Sequence, residues 1–238
     1  NIIVQYNMSP ETLSWIDGDD GDFAHAANGT KYRKDIQGII PKVIKQFYGD
    51  RVDAKQKMLK AQKEYLESPT KKLANDITIF DNQQMAVKIL MNSLYGAMAN
   101  KYFRYFDLNI AEAITTSGQR AVKCAEEAVN NEMQEILGTK EDYVIAIDTD
   151  SVYINMESLV NLHQPVNPVK FLDRVCQHFE KAISKAYTNL AEETGAYENR
   201  MKMEREVIAD RGIWMAKKRY ILNVHNSEGV QYSEPKLK

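Results

Sequence analysis

The sequence has few of the residues that build disulfide frameworks or metal clusters. It contains two cysteines, Cys124 and Cys176, which are far apart in the chain and belong to no C-x-x-C motif. We therefore predict two reduced, buried thiols of a cytosolic protein rather than a disulfide-stapled domain. The four histidines show no metal-ligand spacing, so a structural zinc site is not expected.

Long hydrophobic runs are also missing. No apolar stretch approaches the length that crosses a bilayer, which argues against a membrane protein. The opening residues, N-I-I-V-Q-Y, lack both an initiator methionine and the basic region of a signal peptide. Because the chain opens inside an apolar run, we expect it to be part of a longer polypeptide.

The charge is small overall but unevenly distributed. The 238 residues carry a formal net charge of −2, with charged and apolar fractions of 27% and 44% that are ordinary for a globular protein. Residues 31–72 hold 12 basic and 5 acidic side chains, residues 199–238 hold 9 and 5, and residues 141–198 hold 4 and 10. The basic segments suit a phosphate backbone and the acidic one suits metal ions, although such runs, taken alone, more often form a solvated surface.

The pattern of apolar residues and helix breakers predicts an α+β chain. Residues 17–38 are predicted to form turns and short strands, with D-G-D-D-G-D as a surface turn rather than a calcium loop. Helices are predicted at 41–67, from Asp81 or Asn82 to about 100, at 108–137 and at about 169–194, and strands at 143–147, 152–154, 203–208 and 220–224. The first two helices form a helical hairpin, and the mixed order of elements favours an antiparallel sheet with packed helices.

Two aspartates, Asp148 and Asp150, lie between β-rich apolar segments in the stretch A-I-D-T-D-S-V-Y-I-N. The pattern predicts a hairpin with both carboxylates at its tip. Two buried carboxylates repel each other, and a divalent cation removes that repulsion. Mg²⁺ suits the position because it takes one or two carboxylates together with substrate phosphates. A solvated aspartate turn is the alternative, and this stretch alone favours it.

A second constellation lies in K-I-L-M-N-S-L-Y-G, at residues 88–96. Lys88, Asn92 and Tyr95 fall at i, i+4 and i+7 of a helix and share one face. A different, apolar face is predicted to pack, and it consists of Val87, Leu90, Leu94 and Ala97. Arg51 and Lys55 are likewise at i, i+4 on the other helix of the hairpin. Cations on facing helices predict a cradle for a triphosphate, although any single lysine is more often a surface residue.

A third, weaker signal is the basic cluster K-K-R-Y at residues 217–220, just before the last predicted strand. Such a cluster can contact nucleic acid through the phosphates or through base edges.

In combination, these motifs resemble those of family B DNA polymerases, in particular the replicative polymerases of T-even-type tailed phages. The family motif K-x-x-x-N-S-x-Y-G is complete at residues 88–96, the D-T-D-S of the catalytic hairpin stands at 148–151, and the K-K-R-Y element stands at 217–220. The three motifs occur in the family's order, and the resemblance covers essentially the whole chain.

The resemblance implies a polymerase palm with an inserted helical fingers subdomain. Residues 1–39 and 101–238 would form the palm, with the catalytic hairpin at 143–155, and residues 40–100 would form the fingers. The implied activity is DNA-directed DNA synthesis, in which a primer 3′-hydroxyl attacks the α-phosphate of a deoxynucleoside triphosphate with two Mg²⁺ ions, for which Mn²⁺ can substitute. A phage protein of this kind would act in the cytoplasm of the host cell.

The resemblance also implies roles for individual residues. Asp150 and Asp148 would be the catalytic metal ligands, and Glu206 would be a possible accessory carboxylate. The triphosphate would be held by Lys88, Asn92, Arg51 and Lys55. Tyr95 and Gly96 would lie against the nascent base pair. The primer–template duplex would be contacted by Lys217, Lys218, Arg219 and Tyr220.

Departures from the family pattern bear on activity. The family's other catalytic aspartate belongs to a motif ending in S-L-Y-P, whose continuation matches the first residues of this chain. That aspartate, the tyrosine that excludes ribonucleotides, the exonuclease and the thumb are not in the sequence. Ala146-Ile147 stands where Tyr-Gly is usual, and Ala216 where glycine is common. We therefore expect the isolated chain not to extend primers unless the preceding region is supplied in cis or in trans.

Two other functions were weighed on the residues. A non-catalytic module that binds nucleotide or primer–template is the alternative, although the intact Asp148 and Asp150 argue against an inactive copy. A reverse transcriptase-like site would require adjacent aspartates in Tyr-x-Asp-Asp, which D-T-D does not match.

Overall fold

The structure is a computed structural model that describes residues 1–14, 21–216, 218–227 and 229–238. Within these ranges the chain forms two compact units. The first comprises residues 1–116 and 194–198, and the second comprises residues 117–193 and 199–238. The predicted α+β class is confirmed, because long helices alternate with three small antiparallel sheets. In the described part of the chain, no helix is long and apolar enough to cross a membrane.

The first unit begins with short elements and continues into long helices. They are α1 (Ile2–Gln5), a 3₁₀ turn (Pro10–Thr12), β1 (Leu13–Ser14), β2 (Phe23–His25), β3 (Lys31–Arg33), α2 (Ile39–Glu67), α3 (Lys71–Met98) and the start of α4 (Leu108–Leu137). The strands form an antiparallel sheet in the order β1-β3-β2. Its core contains the fully buried Tyr6, Met8 and Tyr32. The acidic run predicted as a surface turn falls largely outside the described residues.

The start of α2 is held by the segment before β1. Gly38 precedes the helix, and its N–H donates to the Asn7 side-chain oxygen at 2.8 Å. The Ile39 N–H donates to the Glu11 carboxylate and the Ile40 N–H to the Ser9 hydroxyl. A Cβ on Gly38 would come within 2.7 Å of the Ser9 Cβ, so only glycine allows this approach. The first N–H groups of α2 are therefore capped by side chains that lie about 30 residues earlier in the sequence, and we call this arrangement the borrowed cap.

Helices α2 and α3 pack against each other as the predicted helical hairpin. Helix α3 begins at Lys71, so the predicted start at Asp81 or Asn82 is wrong. The Thr70 hydroxyl caps α3 by accepting from the Leu73 N–H at 3.2 Å, whereas Asp81 accepts from the Gln84 side chain. The predicted packing face is also partly wrong. Of its four residues only Leu90 is exposed, at 50%. The less exposed side of α3 consists of Val87, Leu94 and Ala97 together with Gln84, Met91 and Met98.

The second unit is built on three helices and two sheets. It holds the rest of α4, then β4 (Val144–Asp148), β5 (Ser151–Ile154), α5 (Glu157–His163), α6 (Pro168–Glu193), β6 (Val207–Ala216), β7 (Arg219–Ser227) and β8 (Val230–Leu237). Its apolar core joins α4, α5 and α6 through buried residues that include Val129, Met133, Leu159, Phe179 and Tyr187. Strands β4 and β5 pair as one sheet, and β6, β7 and β8 pair in that order as another.

Several boundaries in the second unit differ from those predicted. Helix α4 spans the predicted 108–137 and α6 nearly matches its prediction. The strand predicted at 203–208 begins only at Val207, and α5 and β8 were not predicted. Both cysteines are free but only partly buried, which corrects the expectation of buried thiols. Burial still raises the pKa of Cys176 to about 11, so that thiol is a poor nucleophile near neutral pH.

Candidate functional site

The two predicted metal ligands lie at the tip of the β4–β5 hairpin. Asp148 pairs with Ser151, which leaves Thr149 and Asp150 as a two-residue turn. The Asp150 N–H donates to the Asp148 carbonyl at 2.7 Å, and the Thr149 hydroxyl donates to the Asp148 carboxylate at 3.0 Å. Thr149 has a φ of 56°, a region that β-branched residues rarely adopt. Local bonds and an unusual backbone angle therefore define the turn, and the Thr149 hydroxyl holds the Asp148 carboxylate.

Only one face of this hairpin packs on the helical core. Val144, Val152 and Ile154 contact the core residues of the second unit. Exposure alternates along β4, where Ile145 and Ile147 remain 51% and 42% exposed. The alternation fits a two-stranded sheet mounted on the helices by one side.

An open cleft of about 400 Å³ surrounds the hairpin tip, and we call it the carboxylate cleft. It is lined by Asp148, Thr149, Asp150, Ser151, Tyr153, Lys218, Tyr220 and Lys238. The structure thus brings the predicted metal ligands together with two residues of the predicted K-K-R-Y element. Two carboxylates and two ammonium groups share one small concavity.

Aromatic rings form one wall of the carboxylate cleft. The Tyr153 ring meets the rings of Trp214 and Tyr220 edge-on, with centroids 5.6 Å and 5.3 Å away. Burial, a hydrogen bond with the Tyr220 hydroxyl, and the negative charges of Asp148 and Glu206 raise the pKa of Tyr153 well above its ordinary value. Tyr153 therefore stays neutral at any physiological pH and acts as a fixed polar contact beside the carboxylates.

The donor set of the cleft fits a magnesium ion that also binds substrate. Asp148 and Asp150 offer two carboxylate donors, and one or two carboxylates is the number that Mg²⁺ usually takes from protein when phosphates complete its shell. Within the residues described, no group of three or more His, Cys, Asp or Glu side chains could hold a metal ion by itself. The pair alone thus suits an ion shared with a substrate, and it is not a closed structural metal site.

Three residues of the K-K-R-Y element, Lys218, Arg219 and Tyr220, lie where the chain enters β7. Lys218 has a φ of 62°, and Arg219 and Tyr220 start β7 opposite Ala216 and Trp214. Lys218 and Arg219 are exposed, whereas Tyr220 is partly buried against Tyr153. Lys217, also predicted to contact DNA, lies outside the described residues.

Glu206 is placed just before β6, where it meets a residue that sequence reasoning missed. Its carboxylate forms an ion pair with Lys238 at 2.5 Å, and it is not among the residues that line the cleft. Lys238 continues the β7–β8 ladder through two 3.0 Å hydrogen bonds with Leu222. No sequence signal separated Lys238 from the other lysines, because β8 itself was not predicted.

The predicted triphosphate-binding residues lie in the first unit, on the α2–α3 helical hairpin. Lys88, Asn92 and Tyr95 are exposed along α3, as their spacing predicted, and Lys55 is exposed on α2. Gly96 has open space where a Cβ would stand. Arg51 is less exposed, and within the described structure its Nε is buried without a hydrogen-bond partner. These residues form a polar, basic helical surface.

Comparison with known proteins gives a consistent family. A family model described as DNA polymerase family B matches residues 1–236. The DNA-directed DNA polymerases of Escherichia phage RB69 and Enterobacteria phage T4 are 32% and 30% identical over the whole chain. The DNA polymerase of Pyrococcus glycovorans is 30% identical over 93% of the chain.

The matched region is a part of each relative. The chain spans 34% of the length of both phage relatives and 24% of the Pyrococcus one. Among solved structures, the family B DNA polymerase from the archaeon Pyrobaculum calidifontis covers 95% of this chain with a TM-score of 0.57 and 21% identity. That likeness covers 24% of the archaeal chain and supports the fold.

Proposed function

The chain belongs to DNA polymerase family B, and we propose that it carries the nucleotidyl-transfer centre of a DNA-directed DNA polymerase. The substrates would be a primer–template duplex and deoxynucleoside triphosphates. The relatives named above include two phage enzymes, so the protein would act on DNA in the cytoplasm of an infected host cell.

The observation that carries this proposal is the composition of the carboxylate cleft. Asp148 and Asp150 share it with Lys218 and Tyr220, two residues from a distant part of the chain. Polymerase chemistry needs both kinds of group in one place, because a metal-bound triphosphate must meet the primer end. A solvated aspartate turn without a function would not be expected to share a cleft with lysines from two other strands.

The residues of the cleft would divide the work. Asp150 and Asp148 would hold Mg²⁺, or Mn²⁺ in its place, and two such ions, when bound, would stabilise charge on the attacking and leaving oxygens. Thr149 would keep the Asp148 carboxylate aimed through its hydroxyl bond. Lys217, Lys218, Arg219 and Tyr220 would orient the primer–template duplex by phosphate and sugar contacts.

Residues of α2 and α3 would bind the incoming nucleotide. Lys88, Asn92, Arg51 and Lys55 carry the donors that a triphosphate accepts, and charge-assisted bonds of this type are the strong ones. Tyr95 would lie against the nascent base pair, and Gly96 would let that pair approach the helix because it lacks a Cβ. In this scheme residues 40–100 are the fingers, and residues 1–39 and 101–238 belong to the palm.

We further propose that these 238 residues do not extend primers alone. Two carboxylates leave the family's metal set incomplete, and the described residues hold no larger cluster. A polypeptide that carries the family's other carboxylate motif would have to complete the site, on the same chain or on another.

Primer extension tests both parts of the proposal. The chain is incubated with Mg²⁺, primer–template and four deoxynucleotides, alone and mixed with a polypeptide carrying the other carboxylate motif. Activity only in the mixture, lost with Asp150→Ala, is the expected result. Extension by the chain alone would contradict the need for a further carboxylate. Primer–template binding without extension in either tube would favour the second candidate, a non-catalytic binding module, which the two-carboxylate set also fits.

A further inference from the structure

Lys238 enters the carboxylate cleft from a strand that no motif marks. Its backbone N–H and carbonyl pair with Leu222, so its position follows from the β7–β8 ladder. Its side chain lines the same cleft as Lys218, Asp148 and Asp150. A second ammonium group is thus fixed beside the residues proposed to receive the primer.

Glu206 forms an exposed ion pair with Lys238 that still leaves the ammonium group able to donate to another anion. The Lys238 Nζ lies 2.5 Å from the Glu206 carboxylate, and the two side chains are 46% and 58% exposed. Exposed ion pairs of this kind contribute little free energy, because water already solvates both partners. A phosphate can therefore take a share of the Lys238 donors, since an ammonium group carries three.

The electrostatics of the cleft call for such a cation. Asp148 and Asp150 repel a DNA backbone that approaches the hairpin tip, and Glu206 adds to the negative charge felt by Tyr153. Lys218 alone does not balance these charges. With Lys238 in the same cleft, two ammonium groups are offered to the anionic groups of a DNA strand.

We propose that Lys238 is a second phosphate-binding residue of the carboxylate cleft, that its ligand is a backbone phosphate of the primer–template duplex, and that Glu206 positions Lys238 instead of ligating metal. This inference rests on the proposed function, because it takes DNA as the substrate. It assigns Glu206 a different role from the accessory carboxylate that the family resemblance implies.

The salt dependence of DNA binding tests the role of Lys238. Fluorescence anisotropy of a labelled primer–template is measured with chelator present and no metal, over a range of salt concentrations. Lys238→Gln is expected to weaken binding about three- to tenfold and to reduce the magnitude of the slope of log K against log salt by about 0.9, as expected for one lost phosphate contact. The matched control is Lys236→Gln, on the same strand with its ammonium over the Tyr232 ring, and it should leave both quantities nearly unchanged.

Glu206→Gln tests the positioning role. The amide keeps the shape of the side chain but removes the ion pair that holds the Lys238 ammonium, so binding should weaken about two- to threefold. In the Lys238→Gln background the same change should not weaken binding further. Unchanged or tighter binding by Glu206→Gln alone, or a loss that persists in the Lys238→Gln background, would overturn the positioning role.

The experiment separates failure of this inference from failure of the proposed function. Binding by the unaltered chain with an unchanged slope for Lys238→Gln would overturn the inference alone. No binding by the unaltered chain would overturn both. If Lys238→Gln weakened deoxynucleoside triphosphate binding but not duplex binding, the assignment of the ligand to the DNA backbone would be wrong.

Discussion

In the α2–α3 helical hairpin, the residues proposed to bind a triphosphate are exposed along helix surfaces, except for the partly buried Arg51. In the carboxylate cleft, by contrast, the proposed functional residues contact one another through short turn bonds and ring packing. The helical surface presents exposed basic and polar side chains that a ligand could bind. The cleft is arranged beforehand, so its geometry survives without substrate. The two regions therefore differ in what a substitution should change, binding in one and chemistry in the other.

The largest expected effect is on chemistry at the hairpin tip. Asp150→Asn keeps the shape of the side chain but removes a metal ligand, so nucleotide incorporation in the active mixture should fall by on the order of 10³-fold. Single-turnover rates measure this loss. Glu141→Gln, an exposed acid before β4 and away from the tip, is the control and should leave the rate unchanged. Equal losses of rate for both variants would mean that the overall negative charge of this region matters and the position of the carboxylate does not.

Next in size is the effect on binding at the helical surface. Lys88→Ala removes one charge-assisted contact to the triphosphate, so KM for deoxynucleotides should rise about 10- to 100-fold with a smaller change in kcat. Steady-state kinetics of the mixture measure both. Lys72→Ala, an exposed lysine in the first turn of the same helix, should leave KM unchanged. A fall in kcat with constant KM would contradict the assignment of Lys88 to substrate binding and would place its effect on the chemical step.

A smaller effect separates stability from arrangement within the cleft. Thr149→Gly relieves a left-handed backbone angle and should raise the free energy of unfolding by up to about 1 kcal/mol. It also deletes the hydroxyl bond to Asp148, so activity should fall by about tenfold. Chemical denaturation and single-turnover kinetics together test this. Thr149→Val keeps the branch and loses only the hydroxyl, so full activity of that variant would contradict the aiming role.

The smallest effect concerns the borrowed cap of α2. Partial burial raises the pKa of Glu11, but hydrogen bonds from the Ile39 N–H and the Ser9 hydroxyl outweigh it and leave the pKa below its ordinary value. A carboxylate with a lowered pKa in the folded state stabilises the fold above its unfolded-state pKa, and this contribution is lost as pH falls through the folded-state pKa. Glu11→Gln should therefore flatten the loss of stability on acidification. The difference in unfolding free energy between the variant and the unaltered chain should stay below about 1 kcal/mol, because the Glu11 carboxylate is exposed to water. Thermal unfolding from neutral to acidic pH measures this difference.

Sequence reasoning succeeded where one local signal decided the outcome. The span of α4 followed from its apolar period and Gly138, and the β4–β5 hairpin followed from two β-rich runs around D-T-D-S. It failed where tertiary contacts decided. Thr70 caps α3 eleven residues before the expected Asp81, and β8 forms despite Glu234 and Pro235 because β7 offers it a partner.

The candidate site shows the same division. Motif spacing indicated the aspartates, the polar face of α3 and the K-K-R-Y element. It could not indicate Lys238, which reaches the cleft through strand register, or Trp214, whose ring packs on Tyr153. Motif spacing also could not show that Glu206 forms an ion pair with Lys238, since the two positions are 32 residues apart.

The three rings of Tyr153, Trp214 and Tyr220 have a consequence for engineering. In the described structure the β4–β5 pair and the β6–β7–β8 sheet are separate sheets, and these rings meet across them. Contacts of side chains tolerate exchange far better than backbone ladders do. The aspartate hairpin should therefore be exchangeable between relatives, provided that the incoming segment brings an aromatic ring at position 153 and apolar residues that fit the helical core at 144, 152 and 154.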